Sequence, residues 1–411
     1  ADDILAKFKS QSGTNGNNVL IGTDGNDTIH AYAGDDYIST GAGDDVIYGG
    51  LGNDIMVGGT GNDKYYVETP DDRVIEYENE GTDSIVASCS YELPDNVENL
   101  YLYEEAGAIN GRGNNLNNKI VGNDYGNILD GKEGINDLWG GKGDDTYIIN
   151  SSNANDVCHE RENEGTDTIM SSITYRITRA NIENLTLTGI NDIDGWGNKL
   201  GNYITGNSGS NILRGDQGND TLYGGGGVDS LYGGKDDGTF IVDYNTTPVK
   251  EMADEGIDTV LASVDYTLTN HVENLTLTGA ENLKGTGNTI DNIIIGNSGD
   301  NILEGKIGND NLHGGKVNDR YIFNSGDGEA TIIEAGNTYK YTDAISFGTG
   351  INVEDVKFTK SGNDLIISII NTNDKITIKD SNINPDNRIE QFVFANGTII
   401  DGKKVYELST G

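Results

Sequence analysis

Basic residues are scarce in this 411-residue chain: 27 Lys and Arg stand against 67 Asp and Glu, a formal net charge of −40. No basic patch is present to meet phosphates, which excludes nucleic acid as a partner. The four histidines (His30, His159, His271, His313) are scattered, and none completes the HExxH zinc motif; His159-Glu160 begins one and Asn163 ends it. GNSGS (206–210) and GNSGD (296–300) depart from the serine-hydrolase elbow GxSxG at the fifth residue. No catalytic residue is therefore assigned. The two cysteines align with apolar repeat positions. Cys89 falls where Ile173 and Val264 stand, and Cys158 where Val74 and Val249 stand, so both read as buried free thiols. With only 4 prolines there is no Pro-rich linker to separate domains. No hydrophobic run approaches membrane-spanning length. The N-terminus, ADDILAKFKS, lacks the basic start and apolar stretch of a secretory signal, and lacks an initiator Met, as a fragment or processed product would.

What the chain has in quantity is glycine, 59 residues, and acid. Both are organised by a period of nine. Residues 22–66 read GTDGNDTIH, AYAGDDYIS, TGAGDDVIY, GGLGNDIMV, GGTGNDKYY without a gap. Position six of each block is an aspartate (Asp27, Asp36, Asp45, Asp54, Asp63), and position eight is apolar or aromatic (Ile29, Ile38, Ile47, Met56, Tyr65). Such a period describes a coil that repeats a six-residue turn and a three-residue strand. Glycines let the turn take positive φ and crowd its backbone inward. Carbonyl and carboxylate oxygens, without His or Cys, suit a hard cation such as Ca²⁺. Zn²⁺ prefers nitrogen or sulfur, and Mg²⁺ demands tighter octahedral geometry. Two blocks make one full coil, which pairs Asp27 with Asp45, Asp36 with Asp54 and Asp45 with Asp63, an ion bridging each pair.

Nineteen blocks fit the template, in four arrays at 13–66, 113–148, 197–241 and 287–322. Position six is Asp in ten of them, the five above and Asp145, Asp220, Asp229, Asp310 and Asp319; these ten are the candidate metal ligands. It is Asn in eight (Asn18, Asn118, Asn127, Asn136, Asn202, Asn211, Asn292, Asn301), and Gly238 once. Asn keeps an oxygen but loses the charge, so those turns bind weakly or build amide ladders instead. The first array should hold the strongest sites and the second, with Asp145 alone, the poorest. Each array closes on an aromatic at position eight (Tyr65, Tyr147, Phe240, Tyr321), read as a larger core side chain where the coil widens.

Three similar spacers, 67–112, 149–196 and 242–286, share the phrases EGTD or EGID and VENL or IENL. They read as longer, irregular rungs, with Asp83, Asp167 and Asp258 as secondary ligands. Residues 323–411 lose the nonapeptide and gain alternating runs: AISF, DVKFTK, DLIISII, KITIKD and RIEQFVFA, split by turns at 361–364 and 395–397. The expected organisation is an N-terminal cap at 1–12 with a short helix at 2–9, the first array at 13–66, three spacer-plus-array units at 67–322, and a small antiparallel or mixed β cap at 323–411.

The blocks GGLGNDIMV and TGAGDDVIY resemble the repeats-in-toxin (RTX) family, whose nonapeptide they follow. The tail from YIFNSGDGEATI to RIEQFVFANG is similar to the haemolysin-type calcium-binding related region. The resemblance implies an all-β, right-handed parallel β-roll or β-helix solenoid with multiple Ca²⁺ ions between stacked turns. It implies that backbone carbonyls join the carboxylates, which would make Gly41, Gly43, Gly50, Gly52, Gly59 and Gly61 donors here. It also implies an extracellular protein of a Gram-negative bacterium, exported by type I secretion machinery through an uncleaved C-terminal signal that GKKVYELSTG does not clearly display. Some relatives cleave themselves at Asp-Pro bonds. The prolines here follow Thr69, Leu93, Thr247 and Asn384, so this chain has none.

Two functions follow. One is a secreted calcium-binding module that folds outside the cell and stabilises an upstream toxin, enzyme or adhesin domain. The other is a calcium-stiffened structural or adhesive surface protein meeting a host surface or a glycan, with Tyr48, Tyr66, Trp139, Tyr223 and Tyr232 as outward candidates at position nine. Charge favours either. A chain this acidic and poor in apolar residues resists compaction until cations offset it, and ten sites would add roughly +20.

Overall fold

The computed structural model describes residues 9–151, 154–179, 181–245, 247–334 and 341–408. It is a parallel β-solenoid built from stacked coils. The chain divides into two compact units, Ala1–Gly189 and Ile190–Gly411.

The first unit shows how nine residues become half a coil. Strands at Asp27–His30, Val46–Tyr48, Lys64–Val67 and Ser84–Ala87 pair in parallel. Intervening strands at Val19–Ile21, Tyr37–Ala42, Ile55–Thr60 and Arg73–Ile75 form the facing sheet. Register locks the template: Ile29 opposes Ile47, which opposes Tyr65, while Ile38 opposes Met56 on the other wall. These position-eight side chains are fully buried. A three-residue strand aims only its middle side chain inward, so one apolar residue per block suffices for the core. The expected N-terminal helix falls almost wholly on residues 1–8, which lie outside the described residues; Lys9–Ser12 is a strand paired with Asp27–His30.

The coil continues through the first spacer with uneven rungs. Ser84–Ala87 pairs with Asn99–Leu102, which pairs with Lys119–Val121, so the step changes from 15 to 20 residues. The phrase VENL supplies Leu100 to the core. Cys158 is buried within Val157–His159. Cys89 is only half-buried, contrary to expectation, because the chain bends out of Ser84–Ala87 just before it. Both thiols are free, and burial pushes the Cys89 thiol up to about 11, which disfavours a reactive thiolate.

The second unit repeats the plan. One ladder runs through Tyr203–Thr205, Thr221–Tyr223, Thr239–Val242, Thr259–Ala262, Asn274–Leu277, Ile293–Ile295, Gly308–His313 and Gly328–Ile333. Beyond the last array the sheet becomes mixed. Gly328–Ile333 pairs in parallel with Lys375–Ile378, which is antiparallel to Asp364–Ile369, itself antiparallel to Val356–Ser361. On the other wall Gln391–Val393 is parallel to Ala344–Phe347 and antiparallel to Ile399–Asp401. A short helix, Gly402–Leu408, follows; no periodicity in the sequence announced it.

Candidate metal centre

Stacking places each turn of an array beside the turn eighteen residues away. In the first array the backbone N–H of Asp27 donates to Asp45 Oδ1 at 2.7 Å, that of Asp36 to Asp54 Oδ1 at 2.8 Å, and that of Asp45 to Asp63 Oδ1 at 2.7 Å. One carboxylate oxygen is thereby used. The other, Oδ2, is buried without a hydrogen-bond partner at Asp36, Asp45, Asp54 and Asp63, and likewise at Asp145, Asp220 and Asp319. A buried carboxylate oxygen with no partner is costly. Desolvation, opposed by the backbone hydrogen bond and reinforced by neighbouring carboxylates, raises Asp54 to about 6 and Asp63 to about 7. Burial likewise lifts Asp145, Asp220, Asp310 and Asp319 to about 7 and Asp229 to about 6, and raises Asp36 and Asp45. A divalent cation between the turns would meet the orphaned oxygens and offset the repulsion, so these residues fit Ca²⁺.

Three of the ten differ in detail. Asp27 has its Oδ2 occupied by the N–H and hydroxyl of Thr23. Asp229 and Asp310 keep the ladder, accepting from the N–H of Asn211 at 2.8 Å and of Asn292 at 2.9 Å, and are not among the orphaned oxygens.

The six glycines named from the sequence all adopt left-handed backbone, with φ from +92° at Gly50 to +141° at Gly61. Gly61 shows why no side chain fits. It lies against the carbonyl of Gly43, one coil earlier, and a Cβ would collide with that oxygen. The turns approach closely because they carry nothing but backbone there.

Asn turns solve the same problem without a cation. Asn127 Oδ1 accepts from the N–H of Asn123 at 2.8 Å, while its Nδ2 donates to Ile109 O at 2.6 Å and Asn123 Oδ1 at 3.1 Å. Asn292 accepts from Asn288 N at 2.8 Å and donates to Val272 O and Glu273 O at 3.1 and 3.2 Å. Both polar atoms are satisfied inside the protein, and the amide carries no charge. The expectation of amide ladders describes this geometry.

At the end of each array the ladder passes to the segment that follows, a spacer after the first three arrays and residues 323–411 after the fourth. The N–H groups of Asp63, Asp145, Gly238 and Asp319 donate to Asp83, Asp167, Asp258 and Asp343 at 2.8, 2.8, 2.7 and 2.9 Å. Those four in turn donate to Glu98, Glu183, Glu273 and Glu390. Beside them sit glutamates that sequence reasoning missed: Glu76, Glu160, Glu251 and Glu334, each with Oε2 buried and without a partner. A signal existed. Glu76, Glu160 and Glu251 all stand seven residues before the EGTD or EGID aspartate.

The outward rings at position nine are half-buried, and most meet a ring or a cation of the neighbouring coil. Tyr48 lies 4.2 Å from both His30 and Tyr66, Trp139 lies 3.9 Å from His159, and Tyr232 carries Arg214 at 4.0 Å. Their faces are largely taken by neighbours in the ladder.

Comparison with known proteins agrees with this geometry. The family model for the RTX calcium-binding nonapeptide repeat matches residues 12–46, 32–65, 112–148, 205–240 and 286–321. The model for the haemolysin-type calcium binding protein related domain matches residues 364–404. No curated protein matches. Among solved structures, the extracellular lipase LipA from Serratia marcescens is similar at 17% identity, over 53% of this chain and 43% of the lipase, with a TM-score of 0.15. The match thus spans less than half of the lipase, and at that TM-score it carries no argument. RTX nonapeptide repeats bind Ca²⁺, and this chain carries such repeats in all four arrays together with a haemolysin-type calcium-binding related region at 364–404.

Proposed function

We propose that this chain is a secreted calcium-binding module whose folding is driven by Ca²⁺ outside the cell. The aspartates at position six of the arrays, Asp27, Asp36, Asp45, Asp54, Asp63, Asp145, Asp220, Asp229, Asp310 and Asp319, hold ions between stacked turns. Carbonyls of the turn glycines, Gly41, Gly43, Gly50, Gly52, Gly59 and Gly61 among them, complete the shells. One observation supports this above the others: buried carboxylates stacked every eighteen residues, with one oxygen unpartnered at most of them. Cytosolic calcium is scarce, so the acidic chain stays unfolded there and threads type I secretion machinery. On the outer side, binding free energy becomes folding free energy. The folded roll then stabilises an upstream toxin, enzyme or adhesin domain. Far-UV circular dichroism during a calcium titration tests this: coil should convert to β structure at extracellular calcium levels, and a β spectrum in chelator would argue against it.

A second reading, a calcium-stiffened surface or adhesive segment, draws support from the spacers, which continue the parallel ladder rather than interrupting it. A cell-surface and glycan binding screen with and without EGTA separates the two. Calcium-dependent capture favours the adhesive segment, and its absence favours the export module.

A further inference from the structure

Three of the four array ends bring three carboxylates together: Asp63, Glu76 and Asp83; Asp145, Glu160 and Asp167; and Asp319, Glu334 and Asp343. In each group one oxygen per residue lies within 4.8 Å of the others. Two ligands of one Ca²⁺, each 2.3–2.6 Å from the ion, stand at most about 5 Å apart. These groups differ from the array turns. Their members come from the last turn of an array, a strand end and a turn beyond the array, and a tyrosine organises them.

Tyr65, Tyr147 and Tyr321 are the position-eight residues that close their arrays. Their rings are fully buried, and their hydroxyls donate to Oε1 of Glu76, Glu160 and Glu334. The hydroxyls of Tyr147 and Tyr321 also accept from the N–H of Gly140 and Gly314 at 2.8 Å, which fixes the phenol. With Oε1 held, Oε2 is buried without a partner, as is Oδ2 of Asp63, Asp145 and Asp319. Glu76 is 5% exposed and Glu334 3%, so water does not satisfy those oxygens. A lone acidic cluster on a surface would prove nothing; here the grouped residues Asp63, Glu76, Asp145, Asp319 and Glu334 are nine-tenths buried and each carries an unpartnered carboxylate oxygen.

The third array supplies an internal control. Gly238 stands where Asp63, Asp145 and Asp319 stand, and Phe240 replaces the tyrosine. Glu251 remains, but its Oε1 accepts from the N–H of Gly233 at 2.7 Å, and among the described residues no three-carboxylate group forms there. The aspartate and the hydroxyl vanish together, as the parts of one device would.

We propose that the ends of the first, second and fourth arrays are a second class of cation site: a three-carboxylate cage for Ca²⁺, oriented by a buried tyrosine, at the junction where the nonapeptide coil ends. The absence of His and Cys selects a hard ion, and three carboxylates supply more negative charge than the array turns do. The identity of the ion rests on the calcium reading above; the site does not.

The test counts bound ions on the full chain. Equilibrium dialysis against calcium alone, read by atomic absorption, compares the unaltered chain with a variant carrying Glu76→Gln, Glu160→Gln and Glu334→Gln. The variant should bind three ions fewer per molecule while keeping the β signal of its arrays. An unaltered count in a calcium-binding variant overturns the cage and leaves the array sites standing. A chain that binds no calcium at all overturns both. If the triple variant does not fold, Gly238→Asp with Phe240→Tyr decides. One ion gained supports the cage, and no gain overturns it.

Discussion

A single position-six residue sets the polar balance of its turn. At Asp36, Asp45, Asp54, Asp63, Asp145, Asp220 and Asp319 the carboxylate leaves Oδ2 bare in a buried turn, while Asn127 hands its amide to nearby carbonyls and is complete. Asp54→Asn should therefore remove one ion, raise the melting temperature in chelator and lower it in calcium, as differential scanning calorimetry would record. A site held at 100-fold over its Kd contributes about 2.7 kcal/mol, which sets the scale of the loss. Proton competition follows at the same scale. Burial, then neighbouring carboxylates, lifts Asp54 to about 6, Asp63 to about 7 and Glu76 to about 8, above ordinary unfolded values near 4. The metal-free fold thus binds more protons than the unfolded chain between those limits. Its stability is greatest below about pH 4 and falls as pH rises through 6 to 8. Calcium affinity runs the other way. The calcium concentration for half-maximal β signal should fall several-fold from pH 6 to pH 8, and a pH-independent midpoint would contradict the buried-carboxylate account.

The turn and the three-residue strand form one element, and each depends on the other. Gly61 sits at φ +141° against the Gly43 carbonyl. Gly61→Ala should cost about 1–3 kcal/mol of backbone strain and weaken calcium binding, measurable as a lowered melting temperature in saturating calcium. Ile47 is fully buried between Ile29 and Tyr65, and Ile47→Ala should cost about 2–5 kcal/mol with the ion count unchanged. Much of this was legible in the sequence, because a strict period of nine encodes both the inward residue and the metal-facing turn. Asp27–Asp45 and Asp36–Asp54 stack as the spacing requires. The array-end cages were hardly legible, hinted at only by the Glu recurring seven residues before the spacer aspartate. Their third carboxylate, Glu76, Glu160 or Glu334, stands 11 to 13 residues after the closing tyrosine (65 to 76, 147 to 160, 321 to 334), outside the nonapeptide, and only folding of the spacer brings it back. The same tyrosines read as core filler, since spacing reveals a buried ring but not the partner of its hydroxyl. Cys89 was misjudged because repeat alignment does not show that the chain bends outward there.

The molecule as a whole carries −40 charges and a narrow core that receives about one side chain per nine residues in its arrays. Hydrophobic burial alone is thin for such a chain, and self-repulsion opposes it. Monovalent salt screens exposed charges but enters no turn. About 1 M NaCl should therefore contract the metal-free chain in small-angle scattering without restoring β structure. The most direct test of the central claim is the far-UV spectrum and melting profile of the full chain before and after exhaustive chelation. Loss of the β signal and of the cooperative transition, both restored by calcium, is the predicted result. An unchanged spectrum and melting temperature would contradict it.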